Sequence, residues 1–90
     1  MSLVIRQSTQ FRRDVKRLLR QGVDLSRLET IISTLVAQEP LDLRLRDHAL
    51  VGDWKGFREC HVQPDWLLIY RIEDDELQLA RTGSHAQLFG

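Results

Sequence analysis

Ninety residues, 42% hydrophobic and 29% charged, make one domain of ordinary globular composition; a second core does not fit, and the apolar content excludes wholesale disorder. The formal net charge is zero, but residues 1–22 hold six Lys+Arg against one Asp, and residues 23–90 hold seven against twelve acidic groups. Such a dipole either steers an anionic partner toward one side or reflects a solvated helix face.

No run approaches the roughly 18 apolar residues of a membrane span, and Met1-Ser2-Leu3 does not begin a signal peptide. The expectation is a cytoplasmic protein without a membrane partner.

Leu3-Val4-Ile5-Arg6-Gln7 is short and β-branched and stops at Ser8-Thr9, as a first strand running into a helix cap would. Phe11, Val15, Leu18 and Leu19 then form one apolar stripe of an amphipathic helix, whose other faces carry Arg12, Arg13, Lys16, Arg17 and Arg20. Gly22 stands where a left-handed residue closes a helix. Asp24 or Ser26 can cap a second helix with Leu25, Leu28, Ile32, Leu35 and Val36 on its stripe, ended by Gln38-Glu39-Pro40. This is an αα-hairpin whose apolar faces need a sheet.

Residues 41–53 are read as a loop. Trp54–Val62 is predicted as a strand, with Phe57, Glu59 and His61 on one face and Arg58, Cys60 and Val62 on the other. Cys60 is the only cysteine, so it cannot close an intramolecular disulfide and reads as a buried, inert thiol. After the turn Gln63-Pro64-Asp65, residues 66–72 are apolar on both faces and suit the central strand. Asp74-Asp75 turns the chain into a last strand, Leu77–Thr82, and Ser84 can cap a final helical turn. The order β-α-α-β-β-β defines an α+β domain spanning residues 1–90, with an N-terminal strand and helical hairpin packed on an antiparallel C-terminal meander.

In such a meander, His61 closes one strand, Asp65 and Trp66 open the next, and Arg81 at the end of the last runs opposite the Trp66 end. His61, Asp65, Arg81 and His85 therefore share one end of the sheet, and His48 joins them only if its loop folds back. Imidazole changes charge near neutral pH, carboxylate can orient it, and guanidinium grips phosphate in a fork, so the cluster suits phosphate-ester chemistry. Simple alternation, however, puts Arg81 on the face of Leu77 and Leu79, which read as core; a bulge near Thr82-Gly83 or an overhanging strand end would resolve this. Blander readings stand beside it. Arg81 could bridge to Glu59 or Asp65, Asp65 could serve its own turn, and Trp54, Phe57 and Trp66 could be core or cleft wall. Three His and an Asp are zinc-type ligands, but their spacing matches no zinc pattern, and no metal or other cofactor is expected.

The segments Asp47-His48-Ala49-Leu50, Gly52-Asp53-Trp54-Lys55-Gly56, Arg58-Glu59-Cys60-His61, Pro64 to Tyr70, Arg81-Thr82-Gly83-Ser84-His85 and Leu88-Phe89 resemble, in order, those of YafQ-type toxins of the RelE/ParE superfamily. The resemblance implies a RelE-like fold and a type II toxin that cleaves mRNA on the translating ribosome. It further implies silencing by a cognate antitoxin of DinJ or RelB type, with operator DNA contacted only through that antitoxin. The implied reaction is metal-independent: a ribose 2′-hydroxyl attacks the adjacent phosphate, leaving a 2′,3′-cyclic phosphate and a 5′-hydroxyl.

The implied functional set is His48, His61, Asp65, Trp66, Arg81, His85 and Phe89. In the expected division of labour His85 is the general acid and His48 or His61 the base. Asp65 holds one imidazole in its tautomer, Arg81 stabilises the transition state, and Trp66 and Phe89 stack on or wedge a nucleotide. Arg12, Arg13, Lys16, Arg17 and Arg20 gain a second reading as a ribosomal RNA dock. Two rivals follow from the same resemblance: a gyrase-poisoning ParE-like toxin, which would not be expected to use the cluster of histidines, Asp and Arg, and a catalytically inactive module that binds only an antitoxin.

Overall fold

The computed structural model describes residues 2–90. Strand β1 (Val4–Gln7) leads directly into helix α1 (Thr9–Arg20). Ser8 makes the junction sharp: its hydroxyl oxygen accepts from the Phe11 amide at 2.9 Å and donates to the Ala80 carbonyl at 2.7 Å. This caps the helix and pins its start to the last strand. Helix α1 ends before Gly22, which takes the left-handed conformation at φ 76°. Helix α2 (Ser26–Val36) follows, its first amide satisfied by the Asp24 carboxylate at 2.9 Å rather than by Ser26. The residues α2 buries are Leu28, Ile31 and Leu35, with Ile32 and Val36 at the flanks of the stripe.

Residues 41–53 hold more order than the loop expected there. A 3-10 turn at Leu43–Leu45 leads to the two-residue strand β2 (His48–Ala49), and a second 3-10 turn covers Gly52–Trp54. Strand β3 (Arg58–Gln63) starts four residues later than predicted. Gly56, at φ 93°, lets the chain turn, and the Phe57 amide donates to the Trp54 carbonyl at 2.9 Å. Strands β4 (Trp66–Glu73) and β5 (Glu76–Gly83) complete the meander, and helix α3 (His85–Phe89) ends the chain.

The sheet order is β1-β5-β4-β3-β2. The meander is antiparallel as expected, but β1 runs parallel to β5, from Val4 opposite Glu76 to Gln7 opposite Leu79, so the whole sheet is mixed. Central β4 carries Leu67, Leu68, Ile69 and Tyr70, all essentially inaccessible. Both long helices cover one face, where Phe11, Leu18, Leu28, Ile31 and Leu35 meet Cys60, Val62, Leu68, Tyr70, Leu77 and Leu79. Cys60 lies wholly within this layer, and burial, reinforced by nearby carboxylates, pushes its thiol up to about 12, which keeps it inert. The opposite face has a smaller apolar layer, in which Leu67 and Ile69 lie under Leu88 of α3 and against Leu50, Trp54, Phe57 and Ala80. Among the described residues no helix is long and apolar enough to cross a membrane.

Candidate catalytic face

The smaller layer is the floor of the candidate site, and cross-strand pairing arranges polar residues around it. One row runs His48, Glu59, Ile69, Arg81 across β2, β3, β4 and β5, and the next runs His61, Leu67, Gly83. Paired residues share a face, so His48, Glu59, His61 and Arg81 all start from the side of Leu67 and Ile69. The short β2 folds His48 back onto β3.

Arg81 reaches that side because of a bulge. Ile69 pairs with Arg81 but Tyr70 pairs with Leu79, leaving Ala80 as the extra residue of β5. The inserted residue reverses the alternation, so Leu77 and Leu79 face the helices while Arg81 faces away from them. The bulge lies at Ala80, upstream of the Thr82-Gly83 position considered from sequence.

The guanidinium does not pair with Glu59 or Asp65. Its Nε and Nη2 donate to the two carboxylate oxygens of Asp14 on α1, at 2.8 and 3.2 Å. Asp14 is completely buried and also accepts from the Thr82 amide at 3.1 Å, while Arg17 approaches it at 3.2 Å. Burial alone would raise the Asp14 carboxyl, but the bonds from Arg81 and Thr82 hold it below the usual carboxylate range.

His48 is held on both sides. Its Nδ1 lies 2.7 Å from the Arg46 carbonyl and its Nε2 lies 3.1 Å from the Glu59 carboxylate, so both ring nitrogens are engaged by the protein. The preceding residue anchors the same corner from the other face: Asp47 accepts from the Tyr70 hydroxyl at 2.7 Å and from Arg58 at 3.2 Å. Burial, and then the Asp47 carboxylate, hold the Tyr70 phenol above its ordinary range.

By contrast, the imidazoles of His61 and His85 make no hydrogen bond among the described residues. His85 is the first residue of α3, and two bonds fix where that helix starts. Ser84 and Gln87 form a reciprocal capping box, and the Asp65 carboxylate accepts from the His85 backbone amide at 3.2 Å. Asp65 thus places His85 through its backbone and does not hold an imidazole in a tautomer. The His85 ring leans against Phe89, one turn later, at 4.9 Å between centroids, and Phe89 is 40% exposed.

Beyond β2, which covers only Arg58 and Glu59 of β3, a cleft of about 700 Å³ opens beside His61, lined also by Arg27, Arg44, Arg46, Gln63 and Pro64. Its three guanidiniums give it a positive rim. Arg44 is bound to Asp42, at 3.1 and 3.2 Å. Among the described residues no three His, Cys, Asp or Glu side chains lie together as a metal site.

A family model described as bacterial toxin of type II toxin-antitoxin system, YafQ, matches residues 3–90. The chain belongs to the YafQ family. The mRNA interferase toxin YafQ of Escherichia coli is 42% identical over 87 residues, covering 96% of this chain and 95% of that protein. The toxin in the crystal structure of the E. coli DinJ-YafQ toxin-antitoxin complex superposes with a TM-score of 0.91 at 41% identity, covering all of both chains. A metal-bound toxin from Helicobacter pylori superposes with a TM-score of 0.90 at 43% identity, covering 97% of this chain and 99% of that one. This protein is therefore a type II toxin of YafQ type with the RelE-like fold.

Two expectations for this YafQ-family chain need correction. Trp66 is not presented for stacking: it is 6% exposed, packed in the helix-side core, with its indole N–H donating to the Thr82 hydroxyl at 2.9 Å. Arg17 does not point outward with its neighbours. Its side chain is 27% exposed and lies between Asp14, the Thr82 carbonyl and Gln87, while Arg12, Arg13, Lys16 and Arg20 remain on the surface. The residues sequence reasoning missed are Asp14, Asp47 and the cleft arginines. Only Asp14 carries a signal, as the single acid on a basic helix, at i+3 from Phe11 and i−4 from Leu18, the residues flanking it on the buried stripe.

Proposed function

We propose that this toxin is an endoribonuclease that cleaves translated mRNA in the cytoplasm without a metal cofactor and is held inactive by a cognate antitoxin of DinJ type. The observation that carries this reading is the pair of unpartnered imidazoles at one end of the sheet. His61 and Gly83 flank Leu67 at two strand spacings, about 10 Å, and His85 follows Gly83 by two residues. One phosphodiester fits between two such groups.

His61 takes the proton of the ribose 2′-hydroxyl, the 2′-oxygen bonds to the adjacent phosphorus, and the bond to the 5′-oxygen breaks. His85 donates a proton to that leaving oxygen. The products are a 2′,3′-cyclic phosphate and a 5′-hydroxyl, and no electrons change hands. His48, occupied by Glu59 and the Arg46 carbonyl, sets the corner of the site and leaves the base role to His61. Arg81 faces the phosphate oxygens on which charge grows in the transition state. Phe89, touching His85, offers a stacking face to a splayed base. The flanking phosphates fit the arginine-rimmed cleft beside His61, and Arg12, Arg13, Lys16 and Arg20 face ribosomal RNA.

Primer extension on mRNA from cells briefly induced for the toxin tests this reading, with a His85→Ala/Arg81→Ala double variant alongside. New 5′ ends within translated codons, present with the wild type and absent with the variant, are expected. Growth arrest without new ends would point instead to a gyrase poison. Neither effect would point to an inactive antitoxin-binding module.

A further inference from the structure

The geometry points to Asp14 of α1 as a positioning residue for catalysis, acting through Arg81; this rests on the nuclease reading above. Strand β1 ends its pairing at Leu79, so the outer edge of β5 beyond it has no strand partner. Helix α1 and its cap residue supply the missing bonds from their side chains. Ser8 donates to the Ala80 carbonyl at 2.7 Å, and Asp14 accepts from the Thr82 amide at 3.1 Å. Arg17 lies 3.5 Å from the Thr82 carbonyl. The bulge directs Arg81 to the other face, yet its guanidinium reaches the same carboxylate at the strand edge.

Which edge of the guanidinium is used matters. Nε and Nη2 face Asp14, and Nη1 bonds to no protein atom among the described residues. Arg81 therefore holds a buried anchor with one edge and has a second edge left for phosphate, and its side chain is 19% exposed against none for Asp14. A planar fork can do both at once; a lysine ammonium cannot. Two guanidiniums share the single carboxylate, since Arg17 lies 3.2 Å from it, so the group keeps a net positive charge beside the site. The same carboxylate sits on the helix that carries Arg12, Arg13, Lys16 and Arg20, and so ties the basic face to a catalytic side chain.

The test is a double-variant cycle in single-turnover cleavage on mRNA-programmed ribosomes, using Asp14→Asn, Arg81→Ala and the two combined. Asparagine keeps the size and the acceptor for Thr82 but loses the charge that fixes Arg81. Asp14→Asn is expected to lower the saturating rate about 10- to 100-fold, with a smaller change in the concentration needed for half-saturation. In the Arg81→Ala background it is expected to cost almost nothing more. Equal losses in both backgrounds would overturn the inference, because a purely structural carboxylate would act regardless of Arg81. If Asp14→Asn does not fold, Arg81→Lys decides. The account expects a loss close to that of Arg81→Ala, and near wild-type cleavage would overturn it. A wild type that cleaves while the cycle is additive refutes only this inference; a wild type that does not cleave refutes the nuclease reading itself.

Discussion

Trp66 illustrates how a single side chain can be misread from its type alone. An aromatic residue opening a strand next to Asp65 suits a nucleotide platform, yet its register across the β3–β4 turn turns it toward the helices. There its indole N–H meets the Thr82 hydroxyl, which in turn donates to the Leu67 carbonyl at 2.8 Å. Replacing Trp66 with Phe should remove the bond and leave the Thr82 hydroxyl with one partner fewer, costing about 1 kcal/mol beyond any loss of packing. Thermal unfolding should show a midpoint lower by about 4 to 8 °C in a domain of this size, while cleavage by the folded variant stays within a few-fold of wild type. A large loss of cleavage without loss of stability would return Trp66 to the RNA surface. Arg81 was also hard to read, for a different reason. Its residue type was informative, but its direction depends on one extra residue at Ala80, and no periodicity in the sequence announces a bulge.

Among the elements, α3 is the most consequential for its length. Five residues cannot sustain a helix by propensity, so α3 depends on its Ser84–Gln87 box, on Asp65 and on Leu88 packed over Leu67 and Ile69. It also opens with His85. Ser84→Ala should therefore cost about 1 kcal/mol of stability and lower cleavage together with it, because the loosened first turn no longer fixes the imidazole. Measured cleavage at a temperature where the variant is fully folded separates the two effects; an unchanged rate would mean that α3 holds His85 without its cap. Gly83 supports the same junction: a β-carbon there would stand 2.7 Å from the Gln87 side-chain oxygen and 2.9 Å from Arg17 Nη2, at φ 152°. The long elements were legible because their signals are periodic. Phe11 with Leu18, and Leu28 with Leu35, recur at helical spacing, while the unbroken apolar run of β4 marks a strand buried on both faces. The corner 41–57 was not, since it is built from 3-10 turns and a two-residue strand held by tertiary bonds such as Asp47 to Tyr70.

At the scale of the whole molecule, the sheet is a partition. The larger apolar core lies on the helix side and the candidate catalytic face on the other, and Asp14 joins the two at the edge of β5. The candidate site residues stood out in the sequence by type, but this connection did not: Asp14 falls on the apolar stripe of α1, and only the fold brings its carboxylate to Arg81. Its effect on acid stability follows from the direction of its shift. A carboxyl held below its ordinary value near 3.8 in the folded state adds stability at higher pH and loses it as pH falls through its lowered value. Urea unfolding between about pH 5 and pH 2 should show that loss in the wild type and a shallower one in Asp14→Asn; parallel curves would mean that the Asp14 bonds carry no net stabilisation.

The division of labour between the two free imidazoles is tested most directly by changing the leaving group. On programmed ribosomes, an mRNA with sulfur in place of the bridging 5′-oxygen at the cleavage site releases a thiolate, which needs no proton from an acid. His85→Ala should cleave the ordinary mRNA about 100- to 10,000-fold more slowly than wild type and recover most of that loss on the sulfur-bridged substrate, while His61→Ala stays slow on both. Rescue of His61→Ala, or no rescue of His85→Ala, would contradict the assignment of base and acid to these two residues.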